Sequence, residues 1–199
     1  LSPDSLIPGI DGAAPSARPI REYVYEPKPG MLTFDPRYRI IVDDARAYLR
    51  FDETQYDVIA TDCTDLRYKS NANLYDLEYF ELCKKRITDR GLVVVWMPLA
   101  GLSDEAFRIV VRTFREVFPE MTVWYFTNQP THYCLFIGQK DGVKINYEDV
   151  VKALEIPAIQ ADMEEIGLRD PAKLVASFVT DDRGLESYEG EGPLNTEDF

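Results

Sequence analysis

Leu92-Val93-Val94-Val95-Trp96 is an unbroken, mostly β-branched apolar run set between two segments of helical period. Such a run reads as a strand buried on both faces. Before it, Leu74 to Ile87 places Leu77, Phe80, Lys84 and Ile87 on one face and is closed by Asp89-Arg90-Gly91, the pattern of an amphipathic helix that packs on a sheet. After it, Ser103 caps a helix whose Phe107, Val110, Val111, Phe114 and Phe118 form one stripe as far as Pro119. Helix, buried strand and helix in succession predict an α/β sheet protein.

A second apolar run, Tyr56 to Ala60, ends abruptly in Asp62-Cys63-Thr64-Asp65. In an open α/β sheet the carboxyl ends of the strands face the ligand crevice, so Asp62 is expected at its edge and Asp65 just beyond. The plainer reading makes Asp62 a turn former and Asp65 a solvated acid. The polar loop after it, Arg67 to Asn73, stands where lids occur, although most such loops are simply solvated.

Upstream, Arg39-Ile40-Ile41-Val42 reads as a strand ending in Asp43-Asp44, acids that would cap a helix from Ala45 to Phe51. Glu22 to Glu26 alternates like a strand ending in an acid, and an acid at that place in nucleotide-binding α/β folds bonds ribose hydroxyls. Glu26 is the candidate. Between Glu26 and Tyr38 there is no room for the crossover helix that two parallel neighbours need, so either this half of the sheet is degenerate or loops are missing from the sequence. Residues 1–22 are punctuated by Pro3, Pro8, Pro15 and Pro19. Within them Gly9-Ile10-Asp11-Gly12-Ala13 is either a turn admitting a cofactor to the backbone or an ordinary loop.

Downstream, Met121 to Phe126 and Tyr133 to Ile137 are aromatic-rich strands around a short polar loop, which predicts an antiparallel hairpin at the sheet edge. Asn146 is expected to cap Tyr147 to Leu154, with further helical turns over Ala161 to Ile166 and Pro171 to Phe178, and an irregular acidic tail from Asp181. The expected architecture is a class I methyltransferase-like (Rossmann-like) sheet, mostly parallel with a C-terminal antiparallel hairpin and an incomplete N-terminal half. Its expected divisions are an irregular segment with the glycine loop (1–22), the Rossmann-like domain (23–142), and a helical extension with an acidic tail (143–199).

Charge and cysteine usage narrow the function. With 22 Lys and Arg against 35 Asp and Glu, a net charge of -13 repels phosphate backbones and anionic membranes, so nucleic acid is excluded as a partner and a cationic substrate suits the surface. Cys63, Cys83 and Cys134 have no metal-like spacing, His132 is the sole histidine, and neither a metal site nor a disulfide framework is expected. The longest apolar stretch, Leu92 to Leu102, contains Pro98 and is too short to span a bilayer, and no signal peptide opens the sequence. A cytoplasmic protein without direct membrane insertion is expected.

Tyr56-Asp57-Val58-Ile59, then Asp62-Cys63-Thr64-Asp65, then Leu74-Tyr75-Asp76-Leu77-Glu78-Tyr79-Phe80 resemble the spermidine synthase (polyamine aminopropyltransferase) family, which has an Asp-Ser-Ser-Asp-Pro-like motif followed by a Leu-Tyr/Phe-x-x-x-Phe/Tyr-Tyr helix. Trp96 to Leu99, Gly101 to Ser103 and the ending Leu194 to Asp198 are similar to the synthase-like domains that bacteria fuse to membrane-transporter halves. The resemblance implies an aminopropyltransferase that uses decarboxylated S-adenosylmethionine as co-substrate and a polyamine or related amine as acceptor, and is compatible with a homodimer. It makes Asp62 the proton acceptor and Asp65 the acid that binds the diamine cation, with Tyr75 and His132 also in the substrate set. It assigns Asp44 to adenine, Glu26 to ribose, and Gly9, Asp11 and Gly12 to the cofactor loop. The chain departs from the family pattern at Leu66, where a proline is usual, and at Val95, where a glutamine is usual. The family's tyrosine-bearing loop is shortened to Pro130-Thr131-His132-Tyr133. Three other readings stay open: a methyltransferase using S-adenosylmethionine itself, a lyase on the same cofactor, and a degenerate nucleotide-binding module attached to a transporter half.

Overall fold

In the computed structural model, which describes residues 39–62, 69–126 and 132–198, Asp44 caps the first helix as its chemistry demands. Its Oδ1 accepts from the Ala47 amide at 2.7 Å, and its own amide donates to Asp43 Oδ1 at 2.8 Å, opening α1 (Ala45–Phe51). The preceding segment differs from expectation. Residues 39–42 pair in no ladder among the described residues, and Val42 is exposed. An apolar run becomes a strand only where a neighbour takes its backbone hydrogen bonds. The chain falls into two compact units, Leu1–Tyr48 and Leu49–Phe199.

In the second unit β1 (Tyr56–Thr61) is followed by the short α2 (Lys69–Ala72), inside the segment expected as a loop, and by α3 (Leu77–Arg86). The next strand, β2 (Ile87–Pro98), starts five residues earlier than the sequence pattern suggests. Ile87 pairs with Tyr56, the register then shifts, and Leu92 pairs with Val58. The expected turn Asp89-Arg90-Gly91 is therefore a bulge inside a strand, which bends the strand without ending it. Gly91 permits it: a Cβ there would lie 2.8 Å from the Tyr56 carbonyl oxygen and 2.9 Å from Ile87 Cβ.

Ser103 accepts from the Ala106 amide and starts α4 (Asp104–Val117). The hairpin strands are β3 (Thr122–Trp124) and β4 (Tyr133–Gly138). Then come α5 (Tyr147–Leu154), capped by Asn146, α6 (Pro157–Glu165) and α7 (Pro171–Val175), the last two with proline at the start. Two elements replace expectations here. The helix expected through Phe178 stops at Val175, and Phe178–Thr180 forms β5. The tail expected to be irregular contains α8 (Asp182–Glu189), capped by Asp181. Both depend on distant partners: Phe178 pairs with Trp124 and their rings meet edge-on at 5.6 Å, while Leu185 is buried.

The sheet order is β1-β2-β4-β3-β5. β1 and β2 are parallel, and the other three neighbouring pairs are antiparallel. This is an α/β fold with a mixed sheet, and the expected hairpin is extended by β5. One face carries Ile59 and Thr61, Val93, Val95 and Met97, Cys134 and Phe136, all buried under α3, α4 and α8. Phe114 centres this core, with ring centroids 4.9 Å from Phe80 and Phe118 and 5.8 Å from Phe136. Each such side chain contributes about 1.5–3 kcal/mol by leaving water.

Candidate functional site

Because β1 and β2 run parallel, their carboxyl ends share one edge of the sheet. The register brings further chain to that edge: Pro98 pairs with Tyr133, Trp124 with Leu135, and Phe178 with Trp124. Asp62 is the first residue past β1. It is exposed, and since Thr61 pairs with Val95, it emerges level with Trp96. An exposed carboxylate at this edge can accept a proton or hold a cation.

Two tyrosines, one just before α3 and one in its first turn, hold the edge. The Tyr75 hydroxyl donates to the Trp96 carbonyl at 2.7 Å, and the Tyr79 hydroxyl lies 2.9 Å from Thr61 Oγ1. Tyr79 also lies against the Cys83 thiol, and burial raises its pKa well above the usual phenol range, so it stays protonated. Burial likewise pushes the Cys83 thiol up to about 12. The segment carrying both tyrosines is fixed by Asp76, itself buried, whose Oδ1 accepts from the Tyr79 amide at 2.8 Å. At the far side of the edge the Leu99 amide donates to the His132 carbonyl at 2.6 Å, and the His132 side chain is exposed.

Asp62 and His132 thus stand at the same sheet edge. Tyr75, expected in the substrate set, is fully buried with its hydroxyl donated to a backbone carbonyl, so it holds the strand end. Asp44 belongs to the other unit, where its carboxylate serves as a helix cap. Asp65, Gly9, Asp11, Gly12 and Glu26 lie outside the described residues, as does the connection between Glu26 and Tyr38. Thr61 and Tyr79 are the contributors that sequence reasoning missed. No local signal marks the pair, since Thr61 and Tyr79 lie 18 positions apart.

Beneath α4 and α8 lies a cavity of about 560 Å³, lined by Leu99, Phe107, Tyr125, Cys134, Leu185 and Tyr188 among others. Burial pushes the Cys134 thiol up to about 12 as well, which leaves it a poor nucleophile near neutral pH. At its rim Tyr188 donates to Asp104 Oδ1 at 2.8 Å, and the Arg108 guanidinium, 4.2 Å over the Tyr188 ring, also bonds Asp104. Together these donors hold the Asp104 carboxyl below the usual carboxylate range. No helix among the described residues is long and apolar enough to cross a membrane.

Residues 21–141 match the spermine/spermidine synthase domain. Over 95 residues the chain is 33% identical to the polyamine aminopropyltransferase of Korarchaeum cryptofilum, covering 48% of this chain and 29% of that protein. Over 103 residues it is 31% identical to polyamine aminopropyltransferase 2 of Pseudomonas aeruginosa, covering 51% and 29% respectively. The spermidine synthase structure from Thermotoga maritima is similar in fold, with a TM-score of 0.55 at 21% identity over 78% of this chain and 51% of that one. The chain therefore spans less than two thirds of the length of these relatives.

Proposed function

Since the chain belongs to the spermine/spermidine synthase family, we propose that it serves aminopropyl transfer from decarboxylated S-adenosylmethionine to an amine of polyamine type. The observation that carries this reading is the exposed Asp62 at the shared carboxyl edge of β1 and β2, with the strand end behind it tied to Tyr79. The donor's sulfonium is already activated, so the protein has two tasks: to orient the amine and to take its proton. The amine nitrogen bonds to the aminopropyl carbon, the carbon–sulfur bond breaks with its electron pair going to sulfur, and methylthioadenosine leaves as a neutral thioether. The proton lost by nitrogen goes to Asp62. Asp65 holds the amine's cationic end, and His132 borders the acceptor side. Glu26, Asp44 and the loop with Gly9, Asp11 and Gly12 are proposed for the nucleoside.

Steady-state kinetics on two variants test these roles, with thermal melts as the folding control. Asp62→Asn is expected to lower turnover by about 10²-fold or more, a general-base contribution, with nucleoside affinity unchanged. Asp65→Asn is expected mainly to raise the Michaelis constant for the amine, because it removes binding shared by ground and transition states. Unchanged turnover in folded Asp62→Asn protein refutes the proton-acceptor role. Failure of the unaltered protein to bind either decarboxylated S-adenosylmethionine or methylthioadenosine refutes the enzyme reading in favour of a degenerate module.

A further inference from the structure

We infer that Asn195, near the carboxyl end of the chain, is a positioning residue for the candidate site, acting through Tyr75 and the start of α3 on the strand ends beside Asp62. The functional part of this inference rests on the reading of that edge as the site; the linkage itself does not.

One residue makes four hydrogen bonds, which reach α4, the first residue of α3, the last residue of α2 and the link between α2 and α3. The Asn195 amide donates to Thr113 Oγ1 at 2.8 Å. Thr113 is fully buried in α4, and its own proton is committed to the Ile109 carbonyl at 2.7 Å, so its oxygen meets Asn195 as an acceptor. The Asn195 carbonyl accepts from the Leu77 amide at 2.9 Å. Leu77 is the first residue of α3, and its amide is one of the four that a helix leaves without an internal partner. The side-chain Nδ2 donates to the Ala72 carbonyl at 3.3 Å and the Tyr75 carbonyl at 3.1 Å, so it holds the end of α2 and the link to α3. An aspartate of the same shape has no proton to give.

The stretch around Asn195 is anchored on both sides. Buried Arg112 bonds the Glu189 carbonyl at 2.6 Å and the Pro193 carbonyl at 3.2 Å. Beyond Asn195, the Glu197 amide donates to Glu78 Oε2 at 3.1 Å, and the Glu197 carboxylate meets Arg50 at 3.3 Å. At the other end of the link, the Tyr75 hydroxyl holds the Trp96 carbonyl, and Tyr79 in the first turn of α3 holds Thr61. Hydrogen bonds thus tie α4 through Asn195 to the segment that enters α3, and the hydroxyls of that segment's two tyrosines reach Trp96, level with Asp62, and Thr61, which precedes it. The ending Leu194 to Asp198, singled out in the sequence as a motif, acquires through Asn195 a reason for its asparagine.

Hydrogen exchange of the full chain, read by mass spectrometry, tests the linkage without requiring activity. Asn195→Asp is expected to speed exchange about tenfold at residues 72–77 and 95–99 while leaving the α4 core unchanged, since each net hydrogen bond is worth up to about that factor. Tyr75→Phe, a milder change, is expected to speed 95–99 and leave 72–77 alone. With decarboxylated S-adenosylmethionine and an amine, Asn195→Asp is expected to lower turnover about tenfold with the Michaelis constants little changed, as misplacement of a reacting group does. Exchange that is unaltered, or uniformly faster in every segment, overturns the linkage. Faster local exchange with unaltered turnover overturns the positioning role. An unaltered protein that neither binds nucleoside nor transfers overturns the proposed activity, and exchange then still judges the linkage.

Discussion

Removing the Tyr79 hydroxyl should cost more than the value of one hydrogen bond, because of what it leaves behind. Thr61 is 4% exposed and its Oγ1 lies 2.9 Å from the phenol oxygen. In Tyr79→Phe the threonine hydroxyl stays in the core without that partner, and a stranded buried group costs about 1–3 kcal/mol. Thr61→Val keeps the shape and removes the other half of the pair, leaving the phenol against Cys83 alone, at about 1–2 kcal/mol by the same reasoning. The double variant has no stranded threonine, so its loss is expected to fall short of the sum by about 1–2 kcal/mol. In a chain of this size 1 kcal/mol moves the melting midpoint by about 2–4 °C, well within reach of urea titrations and thermal melts on the four proteins. Additivity within about 0.5 kcal/mol would refute the reasoning, since groups that do not interact behave that way.

Gly91→Ala is expected to destabilise by about 1–3 kcal/mol, as overpacking does, because the new Cβ meets the Tyr56 carbonyl and Ile87 at under 3 Å; a denaturation midpoint equal to that of the unaltered protein would contradict the bulge geometry. Cys83 and Cys134 give a pH signature. Their thiols ionise near 9 when unfolded and near 12 when folded, so the unfolded state releases protons first as pH rises. Stability is therefore complete below about pH 9 and falls towards pH 12, by at most about 1.4 kcal/mol per pH unit for each thiol. Melts at pH 8, 9.5 and 10.5 should show the fall, and Cys83→Ala should flatten it. A slope unchanged by that substitution would exclude Cys83 as a source.

The elements legible to the residue are those fixed by local chemistry. Asp44 and Asn146 each offer a side-chain oxygen to a helix start, and α1 and α5 begin where those caps require. β5 and α8 are hidden in the sequence because nothing local distinguishes them. Phe178 reads as the end of a helix until Trp124 supplies a ladder and a ring, and the acidic composition after Asp181 hides the single buried Leu185 of α8. The candidate site divides in the same way. Asp62 could be read from the abrupt end of an apolar run, a property of neighbouring residues. Tyr79 could not, since on an amphipathic helix it reads as core and its partner Thr61 lies 18 positions away.

What keeps Asp62 at the surface is the alternation of β1 itself. Ile59 and Thr61 face the helices and are buried, whereas Val58 and Ala60 are exposed, and Asp62 follows them outward. A slip of one residue against β2 would turn Ile59 out, draw Ala60 and Asp62 towards the core, and separate Thr61 from Tyr79. Bringing the carboxylate in without a partner would cost several kcal/mol or force it to take up a proton, either of which disables a base. The Gly91 bulge absorbs the extra residues of β2 before Leu92, so the pairing from Val58 to Thr61 runs in step with Leu92 to Val95. A glycine far along the chain from Asp62 thus helps to determine that this acid meets solvent at the edge of the sheet.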